Sequence, residues 1–343
     1  MIQRIKYYLG IISWKILKSL GITPKLISKT ILRPELSKSN IDLLERMKED
    51  NRKSPLPYNA TEIWTNLGNM FEDWFYWEGI NNVEEQKMNG WFSSPSPRDA
   101  KLLRYSCWML YQNVKSRDKY GLLDKVTAGS EIETGLSFEF EGKRISWDIL
   151  ISLDTLYAIA EVDNSIFTDS VVVADIGAGW GRIGYVLMLA NPKAKYVILD
   201  LPQVLLVSSV YLPKRLPNKS FLTYEESRSI KTFNKASFNN KDAAFLGTFD
   251  LDKFDDKSID FVINVASFQE MTEEQVELYF NKIDQKLKGI FYTQQLWKST
   301  THLYNVGEIS GYEKFPFRPT WIKKSLKSAT WSDLYFETTF EIK

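Results

Sequence analysis

The stretch from Val171 to Arg182 constrains this chain more than any other. It opens with Val171-Val172-Val173-Ala174, apolar and mostly β-branched, the composition of a strand buried on both faces. Asp175 follows, and then glycines at alternate positions, Gly177, Gly179 and Gly181. From Gly181 to Ala190 the residues suit a helix, which Asn191-Pro192 would stop. Strand, glycine turn and helix together bring a nucleotide-like ligand against bare backbone at a helix N-terminus. Glycines also serve plain tight turns, so the neighbouring residues must decide.

The spacing departs from a dinucleotide fingerprint, whose glycines stand first, third and sixth. Here they stand first, third and fifth, and Arg182 holds the sixth place, which disfavours a nicotinamide oxidoreductase. Asp175 precedes the first glycine by two. Asp-x-Gly-x-Gly-x-Gly after a buried strand resembles motif I of the class I S-adenosylmethionine-dependent methyltransferases. That resemblance implies an α/β, Rossmann-like fold: a mostly parallel, doubly wound sheet with an antiparallel C-terminal strand. It also implies S-adenosylmethionine as cofactor, held around Asp175, Gly177, Gly179, Gly181 and Arg182. The second strand, Tyr196–Asp200, ends in an acid followed by Leu201-Pro202 and an apolar helix from about Gln203 to Tyr211. An acid there can accept both hydroxyls of an adenosyl ribose, with Leu201 beside it. Alternatively, Asp200 only caps that helix, whose first turn Pro202 suits.

Composition excludes several classes. The 343 residues carry a net charge of +1, so no global field points to nucleic acid. A single cysteine, Cys107, rules out an internal disulfide and suits a reducing compartment, so the chain reads as cytoplasmic. A single histidine, His302, rules out a histidine-rich metal site. Asp252, Asp255 and Asp256 cluster in a Lys-flanked loop that looks solvated, and no metal is expected. No uncharged apolar run reaches the ~20 residues needed to span a bilayer.

The first half reads as a mainly helical region, 1–164, joined to a cofactor-binding domain, 165–343. Residues 1–33 hold seven Lys or Arg and no acid, with Ile2, Ile5, Leu9, Ile12, Ile16 and Leu20 on a helical stripe. Residues 1–22 can therefore pack internally or lie on the anionic inner face of a membrane. A short helix is expected over about Asn40–Asp50. Trp64, Phe71, Trp74, Phe75, Tyr76 and Trp77 read as core, with sugar stacking as the alternative. Leu103, Cys107, Leu110 and Val114 mark a helix, Leu136, Phe138 and Phe140 a small hairpin turning at Glu141-Gly142 and returning through Ile145, and Ile149 to Ala160 another helix. This half would shape an acceptor pocket, form a homodimer, or both.

After Tyr211, residues 213–241 read as a long polar loop. Ala243–Leu246 is a weak third strand and Ser258–Val265 a clear fourth. Thr272-Glu273-Glu274-Gln275 is a capping box opening a helix with Val276, Tyr279, Phe280, Ile283 and Leu287 inward and Gly289 as its stop. A fifth strand would follow at 289–293, with closing strands at 321–326 and 334–342. Strands alternating with helices indicate an open α/β sheet.

In such a sheet the ligand lies beyond the carboxyl ends of the strands. The fourth strand runs out in Asn264-Val265-Ala266-Ser267-Phe268-Gln269-Glu270-Met271. This run, with Asp200-Leu201-Pro202 and the glycine motif, looks like the sugar O-methyltransferase family of bacteria, over about 165–343. The resemblance implies methyl transfer to a sugar hydroxyl of a surface glycan or glycosylated metabolite, with Ser267 and Gln269 on the cofactor side. Asp-Leu-Pro is also similar to plant-type small-molecule O-methyltransferases, which place a catalytic His after strand four. Gln269 and Glu270 stand in that slot here, and Gln cannot take a proton. A sugar hydroxyl needs a proton acceptor within about 3 Å, and the candidates are Glu270 and His302. A non-sugar acceptor with O- or N-methylation is the alternative, as is a non-catalytic adenosyl-binding scaffold.

Overall fold

The computed structural model describes residues 37–54, 57–78, 97–127, 137–298 and 311–343. The basic stripe within residues 1–22 and the candidate base His302 lie outside the described residues.

The chain begins with helices α1 (Lys38–Lys53), α2 (Glu62–Glu78) and α3 (Pro97–Arg117). The hairpin follows as β1 (Ser137–Phe140) and β2 (Lys143–Ser146), with Phe138 opposite Ile145. Its turn puts Glu141 and Gly142 at φ 50° and 76°, left-handed values that a two-residue hairpin turn requires. Then come α4 (Trp147–Ala160), α5 (Ser165–Thr168), β3 (Val172–Ile176), α6 (Arg182–Ala190), β4 (Lys195–Asp200) and α7 (Pro202–Arg215). After these the chain forms β5 (Phe221–Leu222), α8 (Tyr224–Ser229), β6 (Ala243–Gly247), β7 (Ile259–Val265) and α9 (Glu273–Lys286). It closes with β8 (Leu287–Leu296), β9 (Ile322–Ala329) and β10 (Ser332–Ile342).

One sheet organises the molecule, in the order β5-β6-β4-β3-β7-β8-β10-β9. Strands β5 to β8 pair in parallel, whereas β10 runs antiparallel to both β8 and β9. This is the Rossmann-like, doubly wound sheet with a reversed C-terminal strand that the sequence implied. Parallel strands need both faces covered, and two buried clusters cover them. On one side Val173, Ile198, Phe245, Phe261 and Tyr292 pack with α6, α7 and the buried faces of α1 to α4. On the other, Ala174, Val197, Leu246 and Val262 pack with Tyr279, Phe280 and Ile283 of α9. The early helices thus share a core with the sheet. Every residue of α4 from Ile149 to Ala160 is buried, which explains a helix that is apolar nearly all round.

Two local expectations are corrected. Residues 213–241 are organised rather than an open loop: α7 continues through Pro213 to Arg215, β5 extends the sheet edge, and Thr223 and Glu226 form a capping box opening α8. Gly289 does not stop a helix. Helix α9 ends at Lys286 and passes directly into β8, so Leu287 belongs to the strand. The three loop aspartates do not act together: Asp252 pairs with Lys282, Asp256 with Lys286, and Asp255 accepts from Asn234.

Candidate active site

The carboxyl ends of β3, β4 and β7 meet at one edge, and the three sequence-marked segments leave the sheet there. The glycine turn is tied down at its first member, where Gly177 N–H donates to the Leu199 carbonyl at 2.8 Å. Gly177, Gly179 and Gly181 all have positive φ, 69°, 62° and 89°, which explains why the turn is written in glycine. Two of them also have no room for a side chain. A Cβ on Gly177 would overlap Ser267 Oγ, and one on Gly181 would press on Leu212 at 2.7 Å. Gly179 differs: among the described residues, its own chain neighbours apart, no atom lies within 4 Å of the place its Cβ would take. Bare backbone therefore faces open space beside the end of β4.

Asp200 closes that end. Its Oδ2 accepts from Gly179 N–H at 2.8 Å and its Oδ1 from Leu201 N–H at 2.7 Å. Burial pushes the carboxyl up to about 8, against the opposing pull of these two donors. A carboxylate offers about four acceptor positions, so two remain for the vicinal hydroxyls of a ribose. The residues fit an adenosyl ligand: open space over Gly179, and an acid with spare acceptor capacity next to it.

Not every residue expected at the cofactor points there. Asp175 lies on the sheet face shared with Val173, whose register partner is Tyr196. It is 1% exposed and accepts a hydrogen bond from the Tyr196 hydroxyl, and burial pushes it up to about 7. Its place is beneath the turn. Arg182 turns away to Asp148 at the start of α4, 3.6 Å from Oδ1.

At the exit of β7 a buried amide network shapes the backbone. Asn264 Nδ2 donates to the Ile176 carbonyl at 2.7 Å, and Gln295 Nε2 donates to Asn264 Oδ1 at 2.6 Å. Gln269 N–H donates to Gln295 Oε1, and Leu296 N–H to Gln269 Oε1. Gln269 is thus committed to holding the exit, while Ser267 lies against Gly177. Within the 3-10 turn Phe268–Glu270, the Glu270 carboxylate accepts from Trp64 Nε1–H at 2.7 Å. Burial pushes Glu270 up to about 7, and its charge is felt at Asp200. Asp200, the glycine turn and Glu270 are therefore brought together.

The roof over this edge comes from the first half of the chain. Gln275 Nε2 donates to the Pro57 and Asn59 carbonyls at 2.8 and 2.5 Å, and Thr248 Oγ1 to the Tyr58 carbonyl at 3.2 Å. The Tyr58 hydroxyl donates to Asp252. Helix α2 then crosses α7, with Gly68 against the Gln203 side chain. Sequence reading missed Tyr196, Asn264, Gln295 and the site-facing role of Trp64. Phe71 and Phe75 are core, as expected. Among the described residues no group of His, Cys, Asp or Glu could hold a metal ion, and no helix is long and apolar enough to cross a membrane.

No protein-family model matches the chain, and no curated protein does. Solved structures share part of its architecture. The PH0226 protein from Pyrococcus horikoshii OT3 is 16% identical, over 56% of this chain and 89% of that one, with a TM-score of 0.36. Geranyl diphosphate C-methyltransferase from Streptomyces coelicolor A3(2) is 10% identical over 57% and 83%, TM-score 0.36. Magnesium protoporphyrin IX methyltransferase from Synechocystis PCC 6803 is 13% identical over 57% and 84%, again with a TM-score of 0.36. At such identities and TM-scores the likeness carries no conclusion about this chain.

Proposed function

We propose that this chain is an S-adenosylmethionine-dependent O-methyltransferase acting on a hydroxyl of a small acceptor, a sugar or glycoside. One observation carries the proposal: the open backbone at Gly179, the ribose-competent Asp200 and the carboxylate of Glu270 converge at one edge of the sheet. S-adenosylmethionine, when bound, supplies the electrophilic methyl group. The glycine turn lets that ligand approach the backbone, and Asp200 would accept from its ribose hydroxyls. Glu270 would take the proton of the attacking hydroxyl, and a carboxyl near 7 is matched to that task at neutral pH. The strap 57–61 and α2 would cover the acceptor side and exclude water. Residues 1–164 accordingly form the acceptor side, and residues 165–343 the cofactor side.

Calorimetric titration with S-adenosylmethionine tests the cofactor half. Asp200→Ala should weaken binding by roughly 10²-fold, the scale of losing two hydrogen bonds to a charged group. Glu270→Gln should leave affinity within a few-fold. Equal affinity in Asp200→Ala and the parent would sink the assignment. For the acceptor, mass spectrometry of glycan and metabolite extracts should show a methyl group that disappears when the protein is absent.

A further inference from the structure

We infer that Trp64 is a positioning residue for the Glu270 carboxylate, aiming it by an indole hydrogen bond and being aimed in turn by the strap 57–61. The inference rests on the reading of Glu270 as the proton acceptor and names the partner that reading lacked.

Trp64 lies 206 residues from Glu270, and the two meet at 2.7 Å. Other aromatic residues on the same helix, Phe71 and Phe75, are buried at 3% and 1% exposure and fill the core. Trp64 is only partly buried; its ring packs 6.4 Å from that of Phe71, while its Nε1–H reaches the site. A tryptophan needed only for packing has no reason to spend its one donor on a site carboxylate. Indole is a donor only, so it binds the ionised carboxylate and cannot compete for the proton that Glu270 would take.

The strap sets where the indole stands. Its carbonyls at Pro57 and Asn59 are held by Gln275 on the first turn of α9, and that at Tyr58 by Thr248 after β6. Trp64 N–H contacts Thr61 Oγ1 at 3.4 Å as α2 begins. Gln275 and Glu270 flank the same short stretch between β7 and α9, so strap and carboxylate share one mounting. Among the described residues, the groups that face Glu270 are Trp64 from α2 and Asp200 from the end of β4. The indole opposes the upward push of burial on the Glu270 carboxyl, whose charge in turn pushes Asp200 up.

The test uses the full chain with 15N-labelled tryptophan. The Trp64 indole signal, identified by its loss in Trp64→Phe, should shift with pH around a midpoint near 7 and become flat in Glu270→Gln. With 13C-labelled glutamate, the Glu270 carboxyl in Trp64→Phe should titrate about one pH unit higher, the scale of one lost hydrogen bond to a charged group. Transfer of labelled methyl from S-adenosylmethionine into a glycan extract should lose activity on its acid side by the same shift. An indole signal that ignores pH in the parent, or a Glu270 midpoint unmoved in Trp64→Phe, would overturn the inference. A purely structural Trp64 would lower stability or turnover without moving either midpoint. The two assignments fail separately. Normal transfer by Glu270→Gln with a titrating indole in the parent removes the base and leaves the contact; an inactive Glu270→Gln with an indole that is flat in the parent does the reverse.

Discussion

Asp175 shows how a motif residue can be right in position and different in duty. Its side chain is below the glycine turn, where it meets the Tyr196 hydroxyl. Helix α6 passes so close over that ring that a Cβ on Gly184 would overlap it. Gly184→Ala should therefore destabilise the fold by about 1–3 kcal/mol through overpacking, read as a lowered urea midpoint. Tyr196→Phe should cost a similar amount, about 1–3 kcal/mol, because it strands a buried carboxyl without its donor. The motif itself was legible because its glycines have no other economical use than positive φ. The Asp175–Tyr196 pair was not, because it depends on strand register, which one sequence does not state. The contact of Arg182 with Asp148 was hidden for a related reason: Asp148 belongs to a helix 34 residues earlier.

At the scale of elements, β7 and β8 repay comparison. Their register slips between Ile259↔Leu287 and Phe261↔Ile290, so β8 carries one extra residue. Gly289 sits in that bulge at φ 150°, and a Cβ there would overlap the Asp260 carbonyl. Gly289→Ala should lower stability by roughly 1–3 kcal/mol or more, since strain and overlap act together; a denaturant series compared with Gly121→Ala, where the Cβ site is open, isolates the overlap. A glycine after an amphipathic run ordinarily marks a helix end, and Leu287 fits both a helical stripe and a buried strand. Periodicity could not separate them. Residues 213–241 were opaque because their order comes from local side-chain caps rather than from an apolar period. Thr223-x-x-Glu226 was nevertheless a signal that could have been read.

Across the whole molecule, the central strands were legible because each carries its own apolar pattern, and the roof was not, because it is made by contacts 190 to 218 residues apart. Burial also leaves a common electrostatic signature. Asp154 is pushed up to about 6, Asp175 and Glu270 to about 7, and Asp200 to about 8, chiefly by desolvation. These values exceed the unfolded range of about 4, so the folded chain holds more protons than the unfolded one across that interval. Stability contributed by these groups is fully present below about pH 4 and is lost as pH rises through 6 to 8. The ligand-free protein should melt at a higher temperature at pH 5.5 than at pH 8.5. S-adenosylmethionine, whose hydroxyls would favour ionised Asp200, should stabilise more at the higher pH and flatten the decline. A melting temperature that rises across the same interval would contradict this assignment of buried acids.

The strap is fastened through its carbonyls at Pro57, Tyr58 and Asn59, and through one side chain, the buried Tyr58 whose hydroxyl donates to Asp252. Every amino acid brings a carbonyl. Substitution along the strap outside Tyr58 can therefore recast what the site admits while its height above the sheet stays fixed by Gln275 and Thr248. The glycine turn, held at positive φ throughout, would be left untouched. Variation and constraint fall on different stretches of the chain, and a lineage built on this plan could change acceptors without relearning how to hold the methyl donor.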